Sequence, residues 1–336
     1  MNILITGGCG FLGARLARTL LKQGALSLAG EPSRRIDRIT LADRAPPPAD
    51  LAGNPRVTVV QGDLLELAQK RTLPAAGTDL VFHLAAAVSG ECESDFDLGM
   101  HSNFETTHAL LEATRALGSR PTFVFASSLG VFGNVPGRDL PELIHDDTLP
   151  TPQSSYGIQK FIGEQLVADY ARKGFMRGRS VRLMTVSVRP GKPNGAASGF
   201  LSGMIREPLA GIKGACPVPR ETPVALASPS STVDGIIRAA EVTDQEWGPL
   251  TALNLPAIRT SVGELADALE RIAGRAATEL LDWTPDPAIQ KLVKTWPGNV
   301  ASARANALGL EPDKDFESIV REYIRENAGA VKLSVR

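Results

Sequence analysis

Cysteine is scarce: Cys9, Cys92 and Cys216 are the only thiols in 336 residues. They are too few and too scattered for a disulfide framework or a paired-cysteine metal site, no other metal-ligand cluster stands out, and no metal is expected. The chain also lacks a charge bias, with Lys+Arg 36 against Asp+Glu 37 and a net charge of -1. A nucleic-acid binder would carry a basic excess, so that class drops away. No run approaches the roughly 18 consecutive apolar residues of a membrane span. The opening residues, Met1 to Gly8, show neither a charged leader nor a cleavage site, which points to the cytoplasm. Repeats and low-complexity tracts are missing too. Hydrophobic residues at 43% and charged residues at 22% rule out a disordered chain. The length suits two packed domains or one large α/β domain.

What is present is an alternation of β-branched runs with helical periods, the pattern of a doubly wound parallel sheet. Strands are expected at residues 3–6, 38–42, 57–61, 80–84, 122–127 and 181–188. Phe11, Leu12, Leu16, Leu20 and Leu21 share one helical face that Gly24 would end. Residues 103–117 and 154–173 read as two more helices, and 25–38 and 45–50 as surface loops. After Arg189, glycine and proline crowd positions 190–223 and the strand pattern fades. Later come a strand-like 251–255 and helices at 262–273 and 316–327.

The first strand runs into Thr6-Gly7-Gly8-Cys9-Gly10-Phe11-Leu12-Gly13 and then a helix. Glycines there permit a tight turn, close approach of backbone to a pyrophosphate, and close helix–strand packing. The helix N-terminus adds unpaired N–H groups and a positive dipole end. A dinucleotide is therefore expected on Gly7, Gly10, Phe11, Leu12 and Gly13. Asp43 ends the second strand, where a carboxylate accepts ribose hydroxyls and repels a 2′-phosphate. NAD is favoured, with Arg44 next door softening the choice towards NADP as a weaker cosubstrate. The fold class is α/β: a Rossmann-type dinucleotide-binding domain over residues 1–190, rejoined by about 223–256, with a smaller substrate-binding domain mainly over 191–336.

Tyr156 and Lys160 lie one helical turn apart on the same face. A free tyrosine titrates near ~10. A lysine cation and an oxidised nicotinamide nearby favour the phenolate, making Tyr156 a proton acceptor for a substrate hydroxyl. Ser128, at the end of the fifth strand, would hold the same substrate oxygen. Ser127 reads equally well as a turn or capping serine.

In combination these residues resemble the extended short-chain dehydrogenase/reductases, the NAD-dependent epimerase/dehydratase family. The glycine turn, Asp63-Leu64, His83-Leu84-Ala85-Ala86, Ser128, Tyr156/Lys160 and the closing Ala307–Pro312 segment carry the likeness across nearly the whole chain. The resemblance implies that Asp63 and Leu64 meet the adenine and that Leu84, Ala85 and Ala86 line the cofactor. It also implies that Asn103 helps position Lys160, and that the protein is a homodimer. His83 reads as a packed strand-end histidine rather than a base.

Within that family, sugar dehydratases place Asp-Glu after the active-site hydroxyl residue. Here Leu129-Gly130 follows Ser128, and neither moves a proton, so dehydration is disfavoured. The 187–209 segment is similar to the branch of the family that oxidises C2 of a four-carbon sugar acid, D-erythronate, to the 2-keto acid. Lys192 would supply a cation for the carboxylate, with Asn194 and Ser198 as neutral donors and Ser89 past the fourth strand facing the same crevice. A surface lysine and a loop-capping asparagine are the plainer readings of Lys192 and Asn194. A nucleotide-sugar epimerase is the alternative activity. A dinucleotide-sensing regulator would typically lack the Tyr/Lys pair. The base assignment is open to a direct check: Tyr156→Phe should lower turnover by about two to four orders of magnitude while leaving the dissociation constant of the dinucleotide nearly unchanged.

Overall fold

The computed structural model describes residues 1–191, 196–248 and 252–336. Seven strands form the main sheet: β1 (Asn2–Thr6), β2 (Arg38–Asp43), β3 (Val57–Gln61), β4 (Leu80–His83), β5 (Thr122–Ser128), β6 (Arg177–Leu183) and β7 (Ala252–Asn254). Their order is β7-β6-β5-β4-β1-β2-β3. The pairings of β1 with β2 and β4, of β2 with β3 and of β4 with β5 are all parallel. Both faces of the central strands are covered, which is why Ile3, Leu4, Ile5, Val81 and Phe82 are all buried and read as unbroken apolar runs. Strand order reverses between β1 and β4, and the C-terminal edge at such a reversal is where open α/β sheets take their ligands.

Four helices position the residues of interest: α1 (Phe11–Gln23), α2 (Leu64–Gln69), α3 (Thr106–Ala116) and α4 (Ser155–Arg172). Gly24 ends α1 as expected, with φ +73° and its N–H donating to the Leu20 carbonyl. Gly13, Ala14, Leu16, Ala17 and Leu20 are the buried stripe of that helix. Ser154 caps α4, its hydroxyl accepting from the Gly157 N–H at 3.1 Å.

Three expectations change. The run 181–188 is not one strand: β6 ends at Leu183, and Thr185–Val186 pairs instead with Pro223–Ala227 in a separate three-stranded sheet completed by Ile258–Ser261. A continuous apolar pattern does not reveal a change of pairing partner. The helix expected from Asn103 opens as a π-helix, Met100–Glu105, before α3 begins. Nor is 25–38 simply a surface loop. Ala25–Leu26 pairs antiparallel with Arg34–Arg35, and Leu26, Leu28 and Ile36 are buried, so three apolar anchors hold it down.

The chain divides into two units. The first comprises Met1–Val131, Ser154–Arg182 and Val233–Leu253; the second comprises Phe132–Gln153, Leu183–Thr232 and Asn254–Arg336. The second unit has its own core, in which Leu201, Ile205, Leu226, Leu265, Leu269 and Val320 are all fully buried. Among the described residues, no helix is long and apolar enough to cross a membrane.

Inside the first unit, Glu164 of α4 is fully buried and meets Arg182 of β6 through two hydrogen bonds of 2.9 Å. Its Oε1 also accepts from the Ser127 hydroxyl of β5 at 2.5 Å. Removing one member of such a pair strands a charge in the interior. Arg182→Met should therefore cost about 3–5 kcal/mol in urea unfolding, and the double variant Glu164→Gln/Arg182→Met should recover part of that loss.

Candidate active site

The turn between β1 and α1 is shaped by what its glycines leave out. A β-carbon on Gly13 would stand 2.1 Å from the Gly7 carbonyl oxygen, and one on Gly7, at φ +67°, would stand 2.8 Å from the Ala85 nitrogen. Gly8, not singled out in the sequence, is as constrained: its β-carbon would lie 2.8 Å from the Ile5 oxygen. Gly10 is the N-cap of α1 and no side chain caps that helix end. The result is a backbone cradle with an unscreened positive dipole end, and it fits a dinucleotide pyrophosphate. Phe11 and Leu12 form the first turn of α1 beside it.

Asp43, the last residue of β2, faces this turn. Its Oδ2 accepts from the Cys9 N–H and its Oδ1 from the Ala45 N–H, both at 3.0 Å. Those bonds fix the carboxylate next to the cradle. Asp63 caps α2, with Oδ1 accepting from the N–H groups of Leu65 at 2.9 Å and Glu66 at 3.2 Å. Leu64, the first residue of that helix, is buried. On its other side Asp63 pairs with the Arg44 guanidinium and with His101 Nε2 at 3.1 Å. Although partial burial opposes it, Arg44 and His101 hold the Asp63 carboxyl well below the usual carboxylate range.

Past β4, the Leu84 N–H donates to the Thr6 carbonyl at 3.2 Å and the Ala85 N–H to the Thr6 hydroxyl at 3.3 Å. This sets Leu84, Ala85 and Ala86 against the glycine turn. Ser89 opens a short helix, Ser89–Ser94, just beyond. His83 is fully buried, and burial, aided by the Lys160 charge, pushes its pKa down to about 3. Its partners fix its tautomer. The Thr107 hydroxyl donates to the Asn103 carbonyl at 2.6 Å, so it accepts from His83 Nε2–H at 2.9 Å. Nδ1 then accepts from Thr6 at 2.6 Å. A neutral, doubly bonded imidazole is a structural tie, in line with its reading as a packed histidine.

Ser128 ends β5, and its Oγ accepts from the Gly130 N–H at 3.0 Å. A β-carbon built on Gly130 would lie 3.4 Å from Ser128 Oγ and 3.5 Å from the Tyr156 ring. Gly130 thus leaves open the space between the two groups, and neither spacing nor composition pointed to it. Lys160 is buried one turn along α4 from Tyr156. Its ammonium donates to the Ala126 carbonyl at 2.8 Å and lies 5.8 Å from the centre of the Tyr156 ring. Asn103 does not reach Lys160 directly. Its amide accepts from the Ala87 N–H at 2.8 Å and donates to Gln159 Oε1 at 2.9 Å, so it acts on the residue next to Lys160 in α4.

In the second unit, Ser198 accepts from Arg189 Nη2 at 2.8 Å, and Arg189 also donates to the Val186 carbonyl at 3.1 Å. These two bonds tie Arg189 to Ser198 and to the end of the Thr185–Val186 strand. Lys192 and Asn194 lie outside the described residues. Among the described residues, no group of three or more His, Cys, Asp or Glu side chains is arranged to hold a metal ion.

A glycine-built backbone cradle, a strand-end carboxylate beside it and a phenol–ammonium pair at the end of β5 all lie in the first unit, an arrangement that suits a nucleotide-dependent oxidoreductase. The comparisons with known proteins agree. Residues 3–220 match the NAD dependent epimerase/dehydratase family, and the chain belongs to it; a nicotinamide dinucleotide is the class of cofactor for this site. The chain is 46% identical over 332 residues to the D-erythronate dehydrogenase of Cupriavidus necator, covering 99% of this chain and 100% of that protein. It is 39% identical to the D-erythronate dehydrogenase of Haemophilus influenzae, covering 96% and 99%. Among solved structures, a nucleoside-diphosphate-sugar epimerase from Agrobacterium tumefaciens superposes with a TM-score of 0.89 at 38% identity, over 98% of this chain and 95% of that one. The L-threonine 3-dehydrogenase of Trypanosoma brucei shares the fold, with a TM-score of 0.81 at 24% identity over 98% and 97% of the two chains.

The burial of Lys160 has a consequence for stability. Desolvation pushes its pKa down to about 8, against the opposing effects of Cys92 and Glu164, whereas an unfolded lysine titrates near ~10.4. Between those values the unfolded chain keeps a proton that the folded chain has released. Stability from this group therefore rises with pH across that window and is lowest below it. Urea unfolding of Lys160→Met beside the parent protein from pH 7 to 10.5 should show the parent gaining on the variant as pH rises.

Proposed function

We propose that this protein is an NAD-dependent dehydrogenase that oxidises the C2 hydroxyl of a small sugar acid, D-erythronate, to the 2-keto acid. The observation that carries the reading is the placement of Ser128, Tyr156 and Lys160 together in a unit that also holds the glycine cradle, in a chain alike from end to end to two dehydrogenases of that acid. A nicotinamide dinucleotide held by the glycine turn and Asp43 would supply the hydride acceptor for the carbinol carbon. The chain's own residues handle the proton. Ser128 Oγ holds the substrate oxygen, and the Tyr156 phenolate removes its proton as the carbonyl forms. Lys160, fixed by the Ala126 carbonyl, favours the ionised phenol through its charge. Asn103 steadies α4 through Gln159.

The first unit carries the dinucleotide and the chemistry. Asp43 reads the ribose hydroxyls and gives the preference for NAD over NADP. Asp63, Leu64 and Leu84 to Ala86 serve the adenine and cofactor wall. Lys192 is assigned to the substrate carboxylate, with Asn194, Ser198 and Ser89 as hydrogen-bonding partners. The three cysteines are free thiols, which suits the reducing cytoplasm, and the family likeness supports a homodimer.

A nucleotide-sugar epimerase is the competing reading, favoured by the likeness to the Agrobacterium epimerase structure. The two differ in how they treat the dinucleotide, since an epimerase retains it through turnover and a dehydrogenase releases it reduced. Four- to six-carbon aldonic acids offered with NAD should give NADH absorbance, with D-erythronate the best substrate. Lys192→Ala should raise KM for the acid about 10- to 100-fold, the loss of one charge-assisted hydrogen bond, while sparing NAD affinity. Protein that purifies with tightly held dinucleotide and prefers a nucleotide sugar to every aldonic acid would overturn this assignment.

A further inference from the structure

Arg44 directly follows the ribose-edge carboxylate Asp43, and a guanidinium beside the adenosine ribose is what a 2′-phosphate requires. By position alone, this residue equips the site for NADP. The fold gives it another partner. Its backbone carbonyl is held by Gln61 Nε2 at 2.9 Å, and its guanidinium turns onto Asp63 Oδ2. Asp63 cannot follow Arg44 elsewhere, because its other contacts fix it: the N–H groups of Leu65 and Glu66 on Oδ1 and His101 Nε2 on Oδ2. The cation is thus tied to a carboxylate that α2 and the π-helix hold in place.

We infer that Asp63 is a specificity-determining residue: by holding Arg44 it withholds from NADP the cation that a 2′-phosphate would need. Resting on the proposed NAD dependence, the inference adds a second carboxylate to the choice. Asp43 repels the extra phosphate, and Asp63 occupies the group that would otherwise attract it. An exposed pair of this kind contributes little to stability, so its removal should alter selectivity more than folding.

The test uses binding and needs no turnover. Dissociation constants for ADP-ribose and 2′-phospho-ADP-ribose are measured by calorimetry on the parent, Asp63→Ser, Asp63→Asn and Asp63→Ser/Arg44→Ala proteins. Serine and asparagine both retain the cap of α2. Each single variant should shift the preference towards the 2′-phosphorylated ligand by about tenfold or more, the effect of one charge-assisted hydrogen bond. The shift should shrink as salt is raised, and the double variant should lose it. A parent protein that binds ADP-ribose, with an unchanged preference in both single variants, would overturn the inference alone. So would a shift that survives the loss of Arg44, since Asp63 would then act by direct repulsion. A parent protein that binds neither ligand would overturn the dinucleotide reading and this inference with it.

Discussion

Glu164 is the constraint on which the placement of Tyr156 and Lys160 depends. A carboxylate with no solvent exposure persists only when its charge is matched and its lone pairs are filled. Arg182 on β6 and Ser127 on β5 do both. Because Glu164 sits four residues after Lys160 and eight after Tyr156, meeting those demands fixes the rotation of α4 about its axis. One face of that helix then presents the phenol and the ammonium to the end of β5, where the Ala126 carbonyl takes Lys160.

A second tie runs through the neutral His83. Thr6 at the end of β1, His83 at the end of β4, Thr107 on α3 and the carbonyl of Asn103 form one directed chain of hydrogen bonds. It links the strand that enters the glycine turn to the π-helix that holds Asn103. Asn103 in turn bonds Ala87 and Gln159. The segment after β4 and helix α4 are therefore held in one hydrogen-bonded framework with the imidazole at its centre.

The parts of this site legible in the sequence are those written in local order. The strand–glycine–helix turn, Asp43 at a strand end, Ser128 at the end of β5 and Tyr156 one turn before Lys160 all depend on neighbours within a few residues. Relations made only by folding were not legible. Nothing near Arg44 announces Asp63 as its partner, and nothing near Glu164 announces Arg182, because each pair bridges separate elements. Gly130 was passed over because its importance lies in the space between Ser128 and Tyr156. The change of sheet after Leu183 was hidden for a related reason: an apolar run specifies burial but not which strand lies alongside.

The interleaving of the two units along the chain bears on how the protein is made. When a ribosome has released the first 131 residues, β5 has been made but the strand that will lie along its other side, β6, has not, and β7 comes some seventy positions later still. For that interval a strand whose first six residues are buried in the finished protein presents an open apolar edge, the kind of surface on which chains join one another. Growth from one end of the chain therefore cannot finish the first unit before much of the second exists. No single cut in the gene separates the two units cleanly, because each is interrupted by segments of the other, so this two-part architecture resists the modular exchange that its outline suggests.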